Sequence, residues 1–257
     1  MTRPRALITG ASSGLGRGYA LNLAADRYDL VLVARDEDRL REVARSIEAE
    51  NGTHAEVVVA DLSTRSGIAE VRTVIETSRI DLLINNAGYG LRQSLLESEI
   101  EELEGQDRVL TGAVRELSLA AVRQMRARGR GGLINVSSMA ALTTMGQYAA
   151  SKMSTLVFTE ALAGELRGTS VTVTAVLPGF IRTRFHERLG VERPGPDRIW
   201  LTAQHVVAAS LRDARRGAVV SIPGLGYGLA AQISRFIPRS LVRLGSMRFS
   251  LSRRDDH

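Results

Sequence analysis

Cysteine is absent from the 257 residues, and lysine occurs once, at position 152, among 34 basic residues that are otherwise all arginine. The first absence excludes a disulfide framework, a thiolate metal site and a cysteine nucleophile, and fits a cytosolic setting. The second singles out one amine that whatever bias removed lysine elsewhere has left in place. Long apolar runs are also missing: no uncharged stretch approaches the roughly 20 residues that a membrane-spanning helix needs. The opening Met-Thr-Arg-Pro-Arg leads directly into the apolar Ala6–Thr9. That leaves no room for the apolar core of a secretory signal and predicts a soluble, cytoplasmic chain. A formal net charge of +6 comes with no nucleic-acid motif, so it reads as a solvated basic surface and nucleic acid is not an expected partner.

With 44% apolar residues, a chain of this length can bury a large core as a single domain over 1–257. Short β-rich runs recur at Ala6–Thr9, Leu30–Ala34, Glu56–Ala60, Leu82–Asn85, Leu133–Ser137, Val171–Val176 and Val219–Ile222, with amphipathic stretches between them. This alternation predicts βαβ units in a Rossmann-type α/β fold: a mostly parallel, doubly wound, seven-stranded sheet with right-handed crossovers and helices on both faces. Residues 182–200, rich in Gly, Pro and charge, read as a substrate loop or lid.

The first run is followed by Thr9-Gly10-Ala11-Ser12-Ser13-Gly14-Leu15-Gly16 and then a helical stretch. Glycines there permit a tight turn and close backbone approach, and a helix N-terminus favours the pyrophosphate of a dinucleotide. Tyr148 and Lys152 stand four residues apart, so on a helix they share one face. A free phenol titrates near pH 10, and bringing it near neutrality takes roughly 4 kcal/mol of differential stabilisation, which Lys152 could help supply. Ser138 closes the fifth run at the edge of the sheet where open α/β folds bind ligands, while Ser137 points to the opposite side and reads as structural.

The spacing Gly-x-x-x-Gly-x-Gly resembles the short-chain dehydrogenase/reductase family, and further motifs in the family order extend the resemblance over nearly the whole chain. Asp61-Leu62 resembles its adenine contact, Asn85-Asn86-Ala87-Gly88 its cofactor-lining turn, and Pro178-Gly179 with Thr183 the segment that touches the nicotinamide carboxamide. The resemblance implies hydride transfer between a nicotinamide and a carbonyl or secondary alcohol substrate. It gives Tyr148 the role of general acid in reduction and general base in oxidation, and Lys152 a hold on the nicotinamide ribose. It places Ser138 against the substrate oxygen and Gly10, Ser12, Ser13, Gly14, Leu15 and Gly16 around the cofactor, and it implies a homo-oligomer, dimer or tetramer, with no metal. Arg35 ends the second run, where relatives that prefer NAD carry an acid. A guanidinium there would pair with a 2′-phosphate, so NADP is the expected cofactor over NAD.

Two departures stand out. The nine residues between Ser138 and Tyr148 are fewer than the family usually has, which predicts a lower or more open pocket wall. Asn135 sits at the usual serine position but lies inside the strand and reads as structural. Aligned on Thr111-Gly112, Val109 occupies the place of an asparagine that holds a relay water, and valine neither donates nor accepts a hydrogen bond. These departures favour a second reading, a cofactor-binding regulatory or interaction protein with weak or lost catalysis.

From Gly224 to Arg254 there is no acidic residue, and arginines alternate with large apolar residues. This basic amphipathic extension, 224–257, suits peripheral contact with an anionic membrane, a subunit interface or a cover over the substrate pocket.

Overall fold

In the computed structural model the described residues are 3–183, 196–234 and 236–251, with 247–251 described by backbone alone. Seven strands form one sheet: β1 (Arg5–Thr9), β2 (Asp29–Ala34), β3 (Ala55–Val59), β4 (Leu82–Asn85), β5 (Gly131–Val136), β6 (Val171–Val176) and β7 (Val220–Ser221). Their order is β3-β2-β1-β4-β5-β6-β7, and every pairing is parallel. Parallel strands covered on both faces need apolar residues on both, and β1 and β2 accordingly bury nearly every position.

Successive residues then serve opposite layers. Ala6 and Ile8 pack with α1 (Gly14–Ala25), α2 (Glu37–Asn51) and α7 (Ala203–Arg215). Leu7, Val31 and Val33 pack with α3 (Arg65–Thr77), α5 (Val114–Arg128) and α6 (Gly146–Glu165). A shorter α4 (Ile100–Asp107) precedes α5, and α8 (Leu225–Ser234) and α9 (Arg239–Leu251) close the chain. The chain changes direction across the sheet between β1 and β4, which opens a crevice at their C-terminal ends.

Three strand expectations need correction, the first being β3, which runs Ala55–Val59 rather than Glu56–Ala60. β5 begins at Gly131 rather than Leu133, because its glycines allow Met125 of α5 to sit where side chains would stand: a Cβ on Gly131 would come within 2.3 Å of Met125 Cγ. It also ends at Val136, which puts Ser137 just beyond it. β7 is only Val220–Ser221, an edge strand whose neighbour Val219 is already exposed. Of the segment expected to be a lid, 184–195 lies outside the described residues. Its flanks meet through a bridge between Ile181 and Leu201.

Candidate active site

The crevice is lined first by turns whose backbone could not carry side chains. Gly10 has φ +68° and Gly14 φ +54°, the left-handed region that glycine enters freely. A Cβ on Gly16 would lie 2.1 Å from Gly10 O, and one on Gly88 2.8 Å from Leu110 Cδ2. The turn after β4 is stitched to the turn after β1: the amides of Asn86 and Ala87 both donate to Thr9 Oγ1 at 3.0 Å, and Asn86 Nδ2 donates to Thr9 O at 2.9 Å. The first amides of α1 have no intrahelical partner and face this crevice, so a pyrophosphate fits the bare backbone there. Ser12, Ser13 and Leu15 line the same crevice, and Thr183 reaches back to it, its Cγ2 3.6 Å from where a Cβ on Gly14 would be.

Arg35 leaves the end of β2 and lies over the ring of Tyr89, 5.9 Å from its centroid. Asp36 beside it is committed to α2, where its carboxylate accepts from the Arg39 amide at 3.1 Å. Burial would raise the Asp61 carboxyl. Hydrogen bonds from the Ser63 amide and hydroxyl, with the nearby Arg35 charge, outweigh burial and hold it below the usual carboxylate range. This end of the cavity therefore offers a guanidinium and a firmly ionised carboxylate, with Leu62 as apolar wall.

Ser138, Tyr148 and Lys152 come together where β5 meets α6. Ser138 caps the 3₁₀ turn Met139–Leu142, accepting from the Ala140 amide at 3.1 Å, and lines the same cavity wall as the Tyr148 phenol. Ser137 points the other way and donates to Lys152 O at 2.7 Å, fixing α6 against the strand. Asn135 is structural: it joins Asn85, Ser118 and Thr159 in a buried network. Lys152 is 4% exposed, its ammonium donates to Val136 O at 2.7 Å, and it stands 5.7 Å from the Tyr148 ring centroid.

Within the chain alone, the pair does not draw the phenol towards neutrality. Burial pushes Tyr148 up to about 12, and the neighbouring Ser138 hydroxyl offsets only part of that. Burial also lowers Lys152 to about 8. The reason is that both groups sit in the same dry pocket, where each charged form loses hydration. The chain's own groups thus keep the phenol protonated.

Val109 lies in a π turn, Arg108–Ala113, between α4 and α5, packed among the apolar residues of one core layer and reaching the cavity wall. π turns recur at functional sites because they break the regular hydrogen-bond ladder. Here Thr155 of α6 donates to Leu110 O at 2.7 Å, tying this turn to the helix that carries Tyr148 and Lys152.

The open wall expected from the short loop after Ser138 is filled from elsewhere. Ser246 of α9 accepts from the Thr144 amide at 3.2 Å, so the C-terminal helix closes the gap that the trimmed loop leaves. Tyr227 of α8, which the sequence reading missed, lies flat on Gly179, where a Cβ would be 2.0 Å from its ring. Its hydroxyl accepts from the Phe180 amide at 3.0 Å and donates to Ile199 O at 2.8 Å. The helix over the pocket is thereby strapped to the Pro178-Gly179 segment. The only available signal was an aromatic set between glycines in Gly226-Tyr227-Gly228. One continuous cavity of about 1160 Å³ runs from Arg35 to Val242 and Ser246, which makes the described part of the C-terminal extension a pocket cover. Among the described residues there is no group of side chains able to hold a metal ion, and no helix long and apolar enough to cross a membrane.

Residues 4–193 match the family model described as short chain dehydrogenase. The short-chain reductase NovJ of Streptomyces niveus is 36% identical over 197 residues, 75% of this chain and 74% of that protein. Among solved structures, a short-chain dehydrogenase from Sphingobium yanoikuyae in complex with NADPH superposes with a TM-score of 0.84 at 31% identity, covering 97% of this chain and 95% of its own. A bulky-bulky ketone specific alcohol dehydrogenase from Comamonas testosteroni superposes with a TM-score of 0.80 at 29% identity, covering 91% and 93%.

Proposed function

The chain belongs to the short-chain dehydrogenase family, and from that premise we propose that it is an NADP-preferring oxidoreductase of carbonyl and secondary alcohol groups, with Tyr148, Ser138 and Lys152 as its catalytic set. The observation that carries this reading is the convergence of Ser138, Tyr148 and a buried Lys152 on the cavity that the glycine turns also line.

When bound, a nicotinamide dinucleotide supplies or takes up the hydride. The glycine turns and Asn86-Ala87-Gly88 would hold its backbone, Asp61-Leu62 its adenine, Arg35 the 2′-phosphate, and Pro178-Gly179 with Thr183 its carboxamide end; Lys152 would hold the ribose. Tyr148, kept protonated by burial, donates its proton to the carbonyl oxygen during reduction. Ser138 holds that oxygen beside the phenol. NADPH bound in related structures supports the cofactor assignment, as does Arg35. The test is NADPH consumption against a panel of carbonyl compounds. Tyr148→Phe should lower turnover by at least about a hundredfold while NADPH binding survives. A variant that keeps most of its rate would assign the proton elsewhere.

We read the chain as one domain that works in the cytoplasm as a homo-oligomer. Exposed Leu96, Ile100 and Val157, on and around the neighbouring α4 and α6, support the assembly. The outer side of α8, α9 and the turn between them carries exposed Leu225, Leu229, Phe236 and Leu241 with Arg239 and Arg243, which supports peripheral contact with an anionic membrane. The intact protein should then sediment with phosphatidylserine vesicles and not with phosphatidylcholine ones, and Phe236→Glu with Leu241→Glu should release it. A protein that ignores both kinds of vesicle leaves the segment as a cover alone.

A further inference from the structure

The lining of the cavity changes character at the catalytic pair. On the cofactor side stand Arg35, Asp36 and Asp61, the only charged residues besides Lys152 among the described residues of the wall. On the other side stand Met139, Leu142, Met145, Phe180 and Val242. The few hydroxyls there are engaged by the protein. Thr143 donates to Ala140 O at 2.8 Å, Ser234 donates to Ala231 O at 2.8 Å, and Tyr227 bonds Phe180 N and Ile199 O. Ser246 accepts from Thr144 N. A polar or charged group placed on this side would lose water and meet apolar carbon.

Beyond Tyr227 and Val242, the cover faces the cavity with small residues. Ala230 and Ser234 recur four apart on α8, with Gly245 and Ser246 on α9. Gly245 is exposed and lines the cavity, and a Cβ added to it meets nothing within 4 Å, so a larger side chain fits there without displacing the fold. Helices that need only to cover a cavity can fill it with large side chains. These leave it tall.

We propose that the substrate is a ketone or secondary alcohol bearing a bulky, uncharged, apolar group, seated beneath α8 and α9, with Gly245 setting the size limit. The proposal rests on the oxidoreductase reading above. The reacting carbon sits at Ser138 and Tyr148, and the apolar group extends away from the cofactor end towards the cover. Specificity then follows from transfer of apolar surface out of water, opposed only where a side chain shortens the cavity.

Cyclohexanone and 4-phenylcyclohexanone share a reacting group and differ by one apolar ring, so their ratio of kcat/KM isolates the subsite. With NADPH and the full chain, the phenyl compound should be favoured about ten- to hundredfold, as expected for burying a group the size of a phenylalanine side chain. The same ketone carrying a para-carboxylate on the phenyl ring should lose at least about tenfold against the neutral compound. Gly245→Leu should bring the phenyl preference to about unity. Gly226→Leu, a glycine on α8 that is exposed, off the cavity wall and equally free of neighbours, should leave it as it was.

Equal rates on both ketones, a preference untouched by Gly245→Leu, or better turnover of the carboxylate would overturn the substrate proposal while the oxidoreductase reading stands. Failure to reduce any ketone, together with no ketone-induced rise in melting temperature of the NADP-saturated protein, overturns both. A rise with 4-phenylcyclohexanone that Gly245→Leu abolishes, in a protein without turnover, upholds the subsite and sinks the catalytic reading.

Discussion

At one end of the cavity the wall is main chain: glycines at positive φ, amides gathered on Thr9, and helix packing so close that a single Cβ on Gly16 would overlap a carbonyl. At the other end it is side chain, drawn from the 3₁₀ turn after Ser138, the Phe180 segment and two helices at the end of the sequence. A main-chain site recognises by geometry, and almost any change to it is a change of fold. A side-chain site recognises by volume and polarity and can be altered one residue at a time. Lys152 and Tyr148 stand at the junction and belong to both. The contrast predicts that substitutions at the junction uncouple stability from activity, that those at the cofactor end shift cofactor choice, and that those in the wall change rates modestly.

The largest effect is expected at Lys152. Its folded value of about 8 lies below the ordinary value for lysine because burial disfavours the ammonium. Between about 8 and the unfolded value the unfolded chain binds more protons than the native one, so stability rises with pH across that window. At neutral pH the buried charge is therefore a cost, of up to about 3 kcal/mol. Lys152→Met should abolish turnover and weaken NADPH binding, yet raise the melting temperature at pH 7 by several degrees. The gain should shrink towards zero as pH rises to 10.5 and above, measured by scanning calorimetry across pH. A variant that melts lower at pH 7 would mean that the bond to Val136 O outweighs desolvation.

At the cofactor end, Arg35→Asp should cost about ten- to hundredfold in NADPH affinity, the scale of a charge-assisted hydrogen bond. NADH affinity should hold or improve, so the preference inverts. Fluorescence titration of both cofactors decides this, and equal affinities in the parent protein would dismiss Arg35 as the discriminator.

The smallest effect belongs to the wall, at Val109. If a water near the π turn limits proton return to Tyr148, Val109→Asn should raise kcat by up to about tenfold and lower the solvent deuterium isotope effect. Because Val109 is packed among apolar residues, the amide must turn to the cavity to find a partner, and melting must be followed alongside. A well-folded variant with unchanged kcat would show that the proton takes another path.

What could be read from the chain follows the same division. Backbone-made features leave marks in order and spacing: the Gly-x-x-x-Gly-x-Gly turn, Asn86-Ala87-Gly88 and the alternation of strands all stand where the sequence placed them. Tyr148 and Lys152 were legible because a helix brings residues four apart onto one face. Ser137 and Ser138 take different partners, Lys152 O and the Ala140 amide, as successive residues near a strand end do when they point to opposite sides. What lay hidden depends on partners far along the chain. Tyr227 meets Phe180 across 47 residues, and Ser246 meets Thr144 across 102. No local pattern announces either contact, so the cover stayed one of three alternatives. The direction in which Tyr148 titrates was hidden too, since burial is a property of the packed molecule. Gly131 and Gly132 fell outside the expected run yet belong to the strand, with Gly131 leaving the space that Met125 fills.

The solitary lysine gives the protein a chemical address. Apart from a terminal amine, Nζ of Lys152 is the one primary amine in the chain, and near pH 9 most of it is unprotonated, while an exposed surface lysine would still be charged. An acylating reagent that forms an amide there would mark this cavity, with a terminal amine as the other amine within its reach. Its uptake at Lys152, located by mass spectrometry of the digested chain, would report how often the cavity opens, and protection by a bound dinucleotide would become an occupancy measurement that requires no knowledge of the substrate.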